Sequence, residues 1–137
     1  LADVILVGVS RSGKTPTCLY MALHYGVFAA NSPLTDEVFE TARLPAAIEA
    51  QRNKLYGLTI SADRLRHVRR ERRPDSTYAS PKQVGFELRT AEAIFKKRGI
   101  PYLDTSECSI EEIASTILHN KGLLNRDGEL VRPGRSA

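Results

Sequence analysis

Apolar segments alternate with amphipathic segments along the chain. The run Asp3–Val7 is short, rich in β-branched residues and ended by a glycine, which is typical of a buried strand. The segment Lys14–Tyr25 is predicted to be a helix, because Pro16 falls in its first turn, where a missing N–H costs little, and Gly26 ends it. Further strands are predicted at residues 27–31, 54–60 and 100–104.

Capping signals predict the helices in the second half of the chain. A serine at the cap and a Gln or Glu three residues later can satisfy each other's backbone donors. A short helix is also expected after Pro45, within an otherwise mixed segment 34–53. The longer helices are predicted after Ser61 and through about Arg73, from Ser80 to Gly99, and from Ser109 to Gly122, the last two opened by capping boxes.

Strands that alternate with helices imply an α/β fold, with a parallel sheet covered by helices on both faces. The 137 residues suit one domain, predicted at residues 1–124, and the polar remainder at 125–137 is expected to be a flexible tail. No run of 18 apolar residues and no secretory leader is found, so we expect a cytoplasmic protein without a membrane span.

One motif carries specific chemistry. The residues Gly8, Val9, Ser10, Arg11, Ser12, Gly13, Lys14 and Thr15 match the phosphate-binding pattern G-x-x-x-x-G-K-[ST] between a predicted strand and a predicted helix. Glycines let backbone N–H groups point at an anion, and the helix adds the positive end of its dipole. We expect Lys14 to reach the terminal phosphates of a nucleotide and the Thr15 hydroxyl to ligate Mg²⁺. The alternative is a glycine turn with an incidental lysine.

Acidic partners for this motif are weakly indicated. No apolar strand ends in a clear metal-binding aspartate, and Asp104, at the end of the fourth predicted strand, comes nearest. Asp36 and Glu37 follow the second strand, where small-molecule P-loop kinases often place an acid, so either is a candidate base. Each of the three carboxylates also has a plain alternative as a helix cap or a surface charge.

The net charge of +4 is concentrated in one helix. Residues 61–73 contain six arginines and two acids, so this segment alone carries the excess charge. Such a focal charge favours a phosphate-sized target over a long nucleic-acid track. The chain also has no aromatic-interleaved basic stripe, and we therefore expect no nucleic-acid partner.

Helical periodicity divides these arginines into two sets. Leu65 and Val68 define the buried direction, and Arg72 is predicted to project between them. We expect Arg64, Arg69 and Arg72 to face the phosphate site or an internal carboxylate, because a buried arginine needs an anion. The remaining arginines of the segment, Arg66, Arg70 and Arg73, are expected to be solvated. The alternative is a helix whose whole basic face is solvated.

The segment Gly8–Tyr20 resembles the phosphate loop of the phosphoenolpyruvate synthetase regulatory proteins, which are relatives of the pyruvate, phosphate dikinase regulatory proteins. The resemblance extends from Asp3 to Leu124. Two departures are noted: an upstream segment of comparable size is expected in that family, and Ser32 stands where its members commonly carry Tyr. Further matching segments are 29–31 before Pro33, 54–60, 64–73 and 78–80.

The resemblance implies a P-loop kinase-like fold and a bifunctional phosphotransferase. Such an enzyme uses ADP to phosphorylate a threonine of phosphoenolpyruvate synthetase, or of pyruvate, phosphate dikinase, which inactivates the target. It also removes that group with inorganic phosphate as co-substrate and releases pyrophosphate. Lys14 and Arg11 would then be catalytic, together with the three inward-facing arginines, and a homo-oligomer stays open.

Two other functions fit the same residues. A small-molecule kinase of the shikimate or nucleoside type would use ATP and a small alcohol. A non-enzymatic nucleotide-binding or nucleic-acid-binding module would bind through the arginine-rich helix, in a salt-sensitive manner and without phosphoryl transfer.

Overall fold

The computed structural model describes residues 2–131 of the chain. Within these residues, parallel strands alternate with helices as the sequence predicts. The strands are β1 (Val4–Gly8), β2 (Ala29–Pro33), β3 (Leu55–Thr59) and β4 (Tyr102–Asp104). The α-helices are α1 (Lys14–Tyr25), α2 (Asp36–Thr41), α3 (Ala46–Glu49), α4 (Ala62–Arg72), α5 (Pro81–Arg98) and α6 (Ile110–Asn120), and short 3₁₀ turns occupy Arg52–Lys54 and Thr77–Ala79.

The four strands form one parallel sheet in the order β2-β1-β3-β4. Leu6 of β1 lies opposite Asn31 of β2 on one side and opposite Tyr56 of β3 on the other. The chain therefore changes its direction of travel across the sheet at β1. A switch point of this kind opens a crevice at the carboxyl ends of parallel strands. The segment Gly8–Thr15, called the glycine loop below, leaves β1 at this crevice.

Both faces of the sheet are covered, because successive side chains of β1 point to opposite sides. Ile5 and Val7 belong to one apolar cluster with residues of α4 and α5. Val4 and Leu6 belong to a second cluster with residues of α1 and α6. All five residues of β1 are buried, as expected for the inner strand of a parallel sheet. This architecture confirms the predicted α/β fold and is consistent with a P-loop kinase-like arrangement.

Several predicted boundaries are displaced. The second strand was expected to stop before Ser32, but β2 continues through Pro33. The strand lies at the edge of the sheet, where a proline's missing N–H costs no ladder bond. β3 is one residue shorter than predicted at each end, and β4 lacks the first two residues of the predicted strand. Helix α2 forms inside the segment that was expected to be mixed.

The two predicted capping boxes have different outcomes. The box of Ser109 and Glu112 forms with both reciprocal hydrogen bonds. At the start of α5, Ser80 accepts a bond from the Gln83 N–H, but the Gln83 side chain does not return it. Instead, Gln83 Nε2 donates to Glu87 Oε2 at 2.7 Å. Glu87 also pairs with Arg69 of α4, and the Gln83 amide therefore donates to a carboxylate that is held in place.

The predicted tail begins with a closed turn. Leu124 and Leu130 form an antiparallel bridge, and the Val131 N–H donates to the Leu123 carbonyl oxygen at 2.7 Å. Residues 132–137 of the predicted tail lie outside the described residues. No helix within residues 2–131 is long and apolar enough to cross a membrane.

Candidate functional site

The glycine loop has a conformation that its sequence strictly constrains. A Cβ atom on Gly8 would lie 2.7 Å from the Leu58 carbonyl oxygen, so no larger residue fits there. Gly13 has φ 101°, a region that side chains rarely adopt. Arg11 has φ 72° although it carries a side chain, and such strain typically persists at functional sites. The loop is therefore held in one particular shape.

This shape leaves several backbone donors available. Within residues 2–131, only Ser12 in the middle of the loop donates its N–H to another loop carbonyl, that of Val9 at 3.3 Å. Helix α1 begins at Lys14, so its first N–H groups have no intrahelical acceptor. Convergent free N–H groups at a helix N-terminus bind anions. No described residue accepts from the N–H groups of Ser10, Arg11, Gly13, Lys14 and Thr15.

Lys14 is buried at the base of the loop. Its residue is 5% exposed, and Nζ donates to the Val9 carbonyl oxygen at 2.7 Å. Burial of the ammonium lowers the pKa of Lys14 from 10.5 to about 8; the nearby Cys18 opposes this shift and the guanidinium of Arg69 adds to it. A phosphate beside Nζ would supply the missing negative charge. The lysine is thus poised to gain from binding an anion.

Thr15 lies at the surface with its hydroxyl engaged by β2. Asn31 Nδ2 donates to Thr15 Oγ1 at 2.8 Å, which leaves the second lone pair of that oxygen and its proton available. Sequence analysis did not assign Asn31 to the site. A signal existed, because a polar residue near the end of an apolar run marks the carboxyl edge of a strand that neighbours the loop.

Three other parts of the chain hold the loop in place. Arg69 Nη2 donates to the Ser10 carbonyl oxygen at 3.2 Å, and the Ser10 and Tyr78 hydroxyls hydrogen-bond at 2.6 Å. Thr105 Oγ1 donates to the Ser12 carbonyl oxygen at 3.2 Å. Tyr78 and Thr105 were not predicted as site residues, since nothing local in the sequence indicates a contact 68 or 93 residues away.

Arg69 has the internal carboxylate that its position predicts. Its side chain is fully buried and forms a two-pronged pair with Glu87, with Nη2–Oε1 at 2.8 Å and Nη1–Oε2 at 3.2 Å. The same guanidinium donates to the Tyr78 carbonyl oxygen and lies 4.2 Å from the centre of the Tyr78 ring. Because Gln83 also donates to Glu87, this carboxylate accepts bonds from two side chains. Arg69 is therefore a residue that positions the loop.

A cavity of about 400 Å³, called the main cavity, opens over the glycine loop. Val68 places α4 on its wall, and Asn31 and Pro33 contribute from β2. This volume lies within the range of small-ligand sites. The remaining lining residues are Ser10, Arg11, Gly13, Lys14, Thr15 and Pro16.

A smaller cavity of about 260 Å³, called the arginine cavity, adjoins the first. Ser10 and Arg11 line both cavities. Arg72, Arg73 and Tyr78 complete the arginine cavity, and the guanidinium of Arg73 lies 5.7 Å from the Tyr78 ring centre. Three arginines, Arg11, Arg72 and Arg73, therefore place positive charge on the side of the glycine loop that borders the arginine cavity.

Some predictions for the arginine-rich helix are wrong. Arg72 is exposed rather than buried between Leu65 and Val68, because it is the last residue of α4 and an exposed turn follows it. Arg66, expected to be solvated, is half-buried, and its Nε has no hydrogen-bond partner within residues 2–131. Arg73 is exposed as expected, yet it lines the arginine cavity.

Arg64 was expected to face the phosphate site or an internal carboxylate, and its observed position does not match this prediction. Arg64 is exposed and lines neither cavity within the described residues, although it precedes Val68 by one helical turn. Arg70 is exposed, as the periodicity predicts. Of the six arginines in residues 61–73, Arg69 is buried, Arg66 is half-buried and the other four are exposed.

The candidate acids lie away from the main cavity. Asp104 accepts bonds from the N–H and the hydroxyl of Ser106, at 2.9 and 2.5 Å, which is the capping alternative. Glu37 lines a separate cavity near Leu44, and Asp36 is exposed in the first turn of α2. A strand end does not fix where a side chain goes, and none of these three carboxylates lines the main cavity.

The described residues contain no group of three or more His, Cys, Asp or Glu that could hold a metal ion. Mg²⁺ often keeps several waters and uses few protein ligands beside substrate phosphates. The exposed Thr15 oxygen on the wall of the main cavity fits that limited role. The residues present therefore suit a magnesium ion carried by bound phosphates.

The fold and this site together define an α/β domain of P-loop kinase-like architecture, with a basic loop that carries free backbone N–H groups at its switch point. A family model described as kinase/pyrophosphorylase matches residues 1–118, and the chain belongs to that family.

Curated relatives carry a common name. Proteins called "Putative phosphoenolpyruvate synthase regulatory protein" are 58% identical over 125 residues in Alcanivorax borkumensis and in Halorhodospira halophila. One of the same name in Laribacter hongkongensis is 56% identical. Each match covers 91% of this chain and 46% of the relative, so the chain spans about half the length of the curated relatives it matches.

Proposed function

We propose that this chain provides the phosphoryl-transfer site of a bifunctional regulator of phosphoenolpyruvate synthase. In one direction ADP donates its β-phosphoryl group to a threonine of the synthase. In the other direction inorganic phosphate removes that group as pyrophosphate. The observation that carries the proposal is the glycine loop, in which Lys14 and free N–H groups surround one cavity. Membership in the kinase/pyrophosphorylase family and the names of the relatives support the same reading.

Both reactions balance without a redox partner. In the first, a threonine oxygen forms a bond to the β-phosphorus of ADP, the bond to the bridging oxygen breaks, and AMP and a proton leave. In the second, a phosphate oxygen forms a bond to the phosphothreonine phosphorus, the bond from that phosphorus to the threonine oxygen breaks, pyrophosphate leaves, and the proton of the attacking phosphate ends on the threonine oxygen. Either direction places two phosphate groups side by side.

The chain's own residues have complementary tasks in this scheme. Lys14 and the loop N–H groups hold the β-phosphate of ADP or the free phosphate, and they neutralise its charge. Arg11 lies on the wall of the same cavity and can contact the transferring group. Thr15 would hold Mg²⁺, which supplies further charge neutralisation when it is bound. Catalysis then rests mainly on positioning and electrostatics.

The direct test is phosphorylation of the target. Phosphoenolpyruvate synthase is incubated with the protein and ADP labelled in the β-phosphate, and phosphothreonine is sought by mass spectrometry. We expect labelled synthase with the wild-type protein and none with Lys14→Ala. Pyruvate, phosphate dikinase serves as the alternative target. Turnover of ATP with a small alcohol, without labelled synthase, would instead favour a small-molecule kinase.

A second test examines the use of one loop for both directions. Phosphate should compete with ADP, and Lys14→Ala should lose both activities together. Pyrophosphate formation by a variant that cannot use ADP would contradict this arrangement. Thr15→Ala should raise the Mg²⁺ concentration needed for activity, whereas Thr15→Ser, which retains the hydroxyl, should not.

A further inference from the structure

The arginine cavity has a composition that the loop's role does not explain. Three guanidinium-bearing residues, Arg11, Arg72 and Arg73, converge on about 260 Å³ of space beside Tyr78. It adjoins the main cavity through Ser10 and Arg11, which line both. A group bound here would therefore lie next to a group bound on the glycine loop.

No ion pair within residues 2–131 neutralises the positive charge of this cavity. Among residues 2–131, the ion pairs join His67 to Glu71, Arg69 to Glu87, and Arg98 to Glu49. None of the three arginines of the cavity takes part in an ion pair there. Like charges gathered around a concave surface repel one another, and they attract an anion strongly.

Tyr78, on the wall of this cavity, is held by contacts with the glycine loop and with α4. The Tyr78 hydroxyl hydrogen-bonds with the Ser10 hydroxyl at 2.6 Å, and its ring packs against the buried guanidinium of Arg69. Arg11 is held at φ 72°, a strained conformation for a residue with a side chain. A rigid wall lowers the entropic cost of binding a small anion.

We propose that the arginine cavity is a second phosphate site, which binds a phosphate dianion while the glycine loop holds another phosphate group. The dianion is either the phosphate ester of a phosphorylated threonine or free phosphate. Guanidinium groups bind phosphate oxygens in forked geometry, which suits this chemistry.

The part of this site in catalysis rests on the proposed function. There, phosphothreonine in the arginine cavity would face a free phosphate on the glycine loop. A loop phosphate oxygen bonds to the ester phosphorus, the ester P–O bond breaks, and the threonine oxygen takes the proton released by the attacking phosphate. Arg11, which borders both cavities, would contact the group in transit.

The test measures phosphate binding while the main cavity is filled. The protein is saturated with ADP and Mg²⁺ and then titrated with N-acetyl-phosphothreonine amide or with inorganic phosphate. Binding is followed by calorimetry and by the NMR signals of the arginine Nε–H groups. We expect saturable binding that shifts the signals of residues 11, 72 and 73.

Two double variants distinguish binding of the probe in this cavity from non-specific attraction to surface arginines. The double variant Arg72→Gln/Arg73→Gln should weaken binding of the probe by about tenfold or more, since charge-assisted bonds are lost. Arg70→Gln/Arg126→Gln is the matched control, because both residues are exposed and the same charge is removed. The control should bind as the wild type does.

Each outcome decides a specific point. Binding of the ester assigns the site to phosphorylated side chains, and binding of inorganic phosphate alone assigns it to the free anion. The proposal is overturned if neither probe binds once ADP is present, or if the two double variants bind equally. Failure to label the synthase would refute the proposed function but would leave this binding result unchanged.

Discussion

Arg69 and Glu87 form a buried ion pair that connects α4 to α5 and, through the same guanidinium, to the carbonyl oxygen of Ser10. The pair thus lies between the core and the glycine loop. Its hydrogen bonds satisfy both Nη atoms of Arg69, while Nε has no partner among the described residues. The position of the loop therefore depends on the Glu87 carboxylate, although Glu87 does not line the main cavity.

Removing that carboxylate should destabilise the fold. Glu87→Gln leaves the Arg69 guanidinium buried without a counter-charge, and we expect the free energy of unfolding to fall by about 3 kcal/mol or more. The control is Glu71→Gln, because Glu71 pairs with His67 and both side chains are about two-thirds exposed. This variant should change the free energy of unfolding by less than about 0.5 kcal/mol. Denaturant unfolding measures both, and equal small losses would contradict a structural role for the pair.

The lowered pKa of Lys14 predicts a pH dependence with a definite sign. Between pH 8 and 10.5 the folded protein has released the Lys14 proton, whereas the unfolded chain still holds it. The cost of burying the charged lysine is therefore fully present below pH 8 and is relieved as the pH rises.

The comparison with Lys14→Met isolates this effect. The stability of the wild type relative to the variant should be constant below pH 8 and should rise from there to pH 10.5. Denaturant unfolding across this range is the measurement, and a difference that does not vary with pH would refute the assignment. Affinity for phosphate should fall over the same range, because the neutral amine attracts the anion less.

Arg11 combines a strained backbone with a useful side chain. Arg11→Gly and Arg11→Ala both remove the guanidinium and should weaken phosphate binding. The glycine variant should be more stable than the alanine variant by about 1 kcal/mol, because φ 72° is costly for any residue with a Cβ. Thermal unfolding of both variants tests this order. The reverse order would show that the loop relaxes when the side chain is removed.

Arg64 lies one helical turn before Val68, which lines the main cavity. If its long side chain extends along α4 to that cavity, Arg64→Gln should lower turnover by about tenfold without changing the melting temperature. Arg70→Gln, on the same helix and also exposed, should change neither quantity. Similar turnover in the two variants would assign Arg64 to the solvated basic face.

The hydrophobic pattern was sufficient for the class of fold and for most of its helices and strands, although it missed α2. Asp3–Val7 predicted β1 because an apolar run ending in glycine has few other solutions in a soluble domain. Ser61 and Ser109 predicted helix starts because capping is a local hydrogen bond that a short segment of sequence specifies. The glycine loop was equally visible, since its conformation requires glycine at particular positions.

The arginine-rich helix marks the limit of such reasoning. Periodicity predicted that Arg69 faces the phosphate site or an internal carboxylate, and the carboxylate is what the structure shows, but periodicity could not identify Glu87, which lies 18 residues further along the chain. It wrongly placed Arg72 between Leu65 and Val68, because helical phase says nothing about where a helix emerges from the core, yet the exposed Arg72 does line the arginine cavity beside the glycine loop. Asp104 and Glu37 do not line the main cavity for a related reason, since the position of a strand or helix end is predictable but the direction of its side chains is not.

The sequence by itself determined the alternation of strands and helices and the glycine loop between β1 and α1. Only the tertiary structure brought Asn31, Tyr78 and Thr105 to that loop and gathered Arg72 and Arg73 beside Arg11. The physical reason is that caps, turns and periodicity act over a few residues and leave a local signature. Contacts such as that of Thr105 with Ser12 span 93 residues, and they are fixed by how the sheet and its helices pack together.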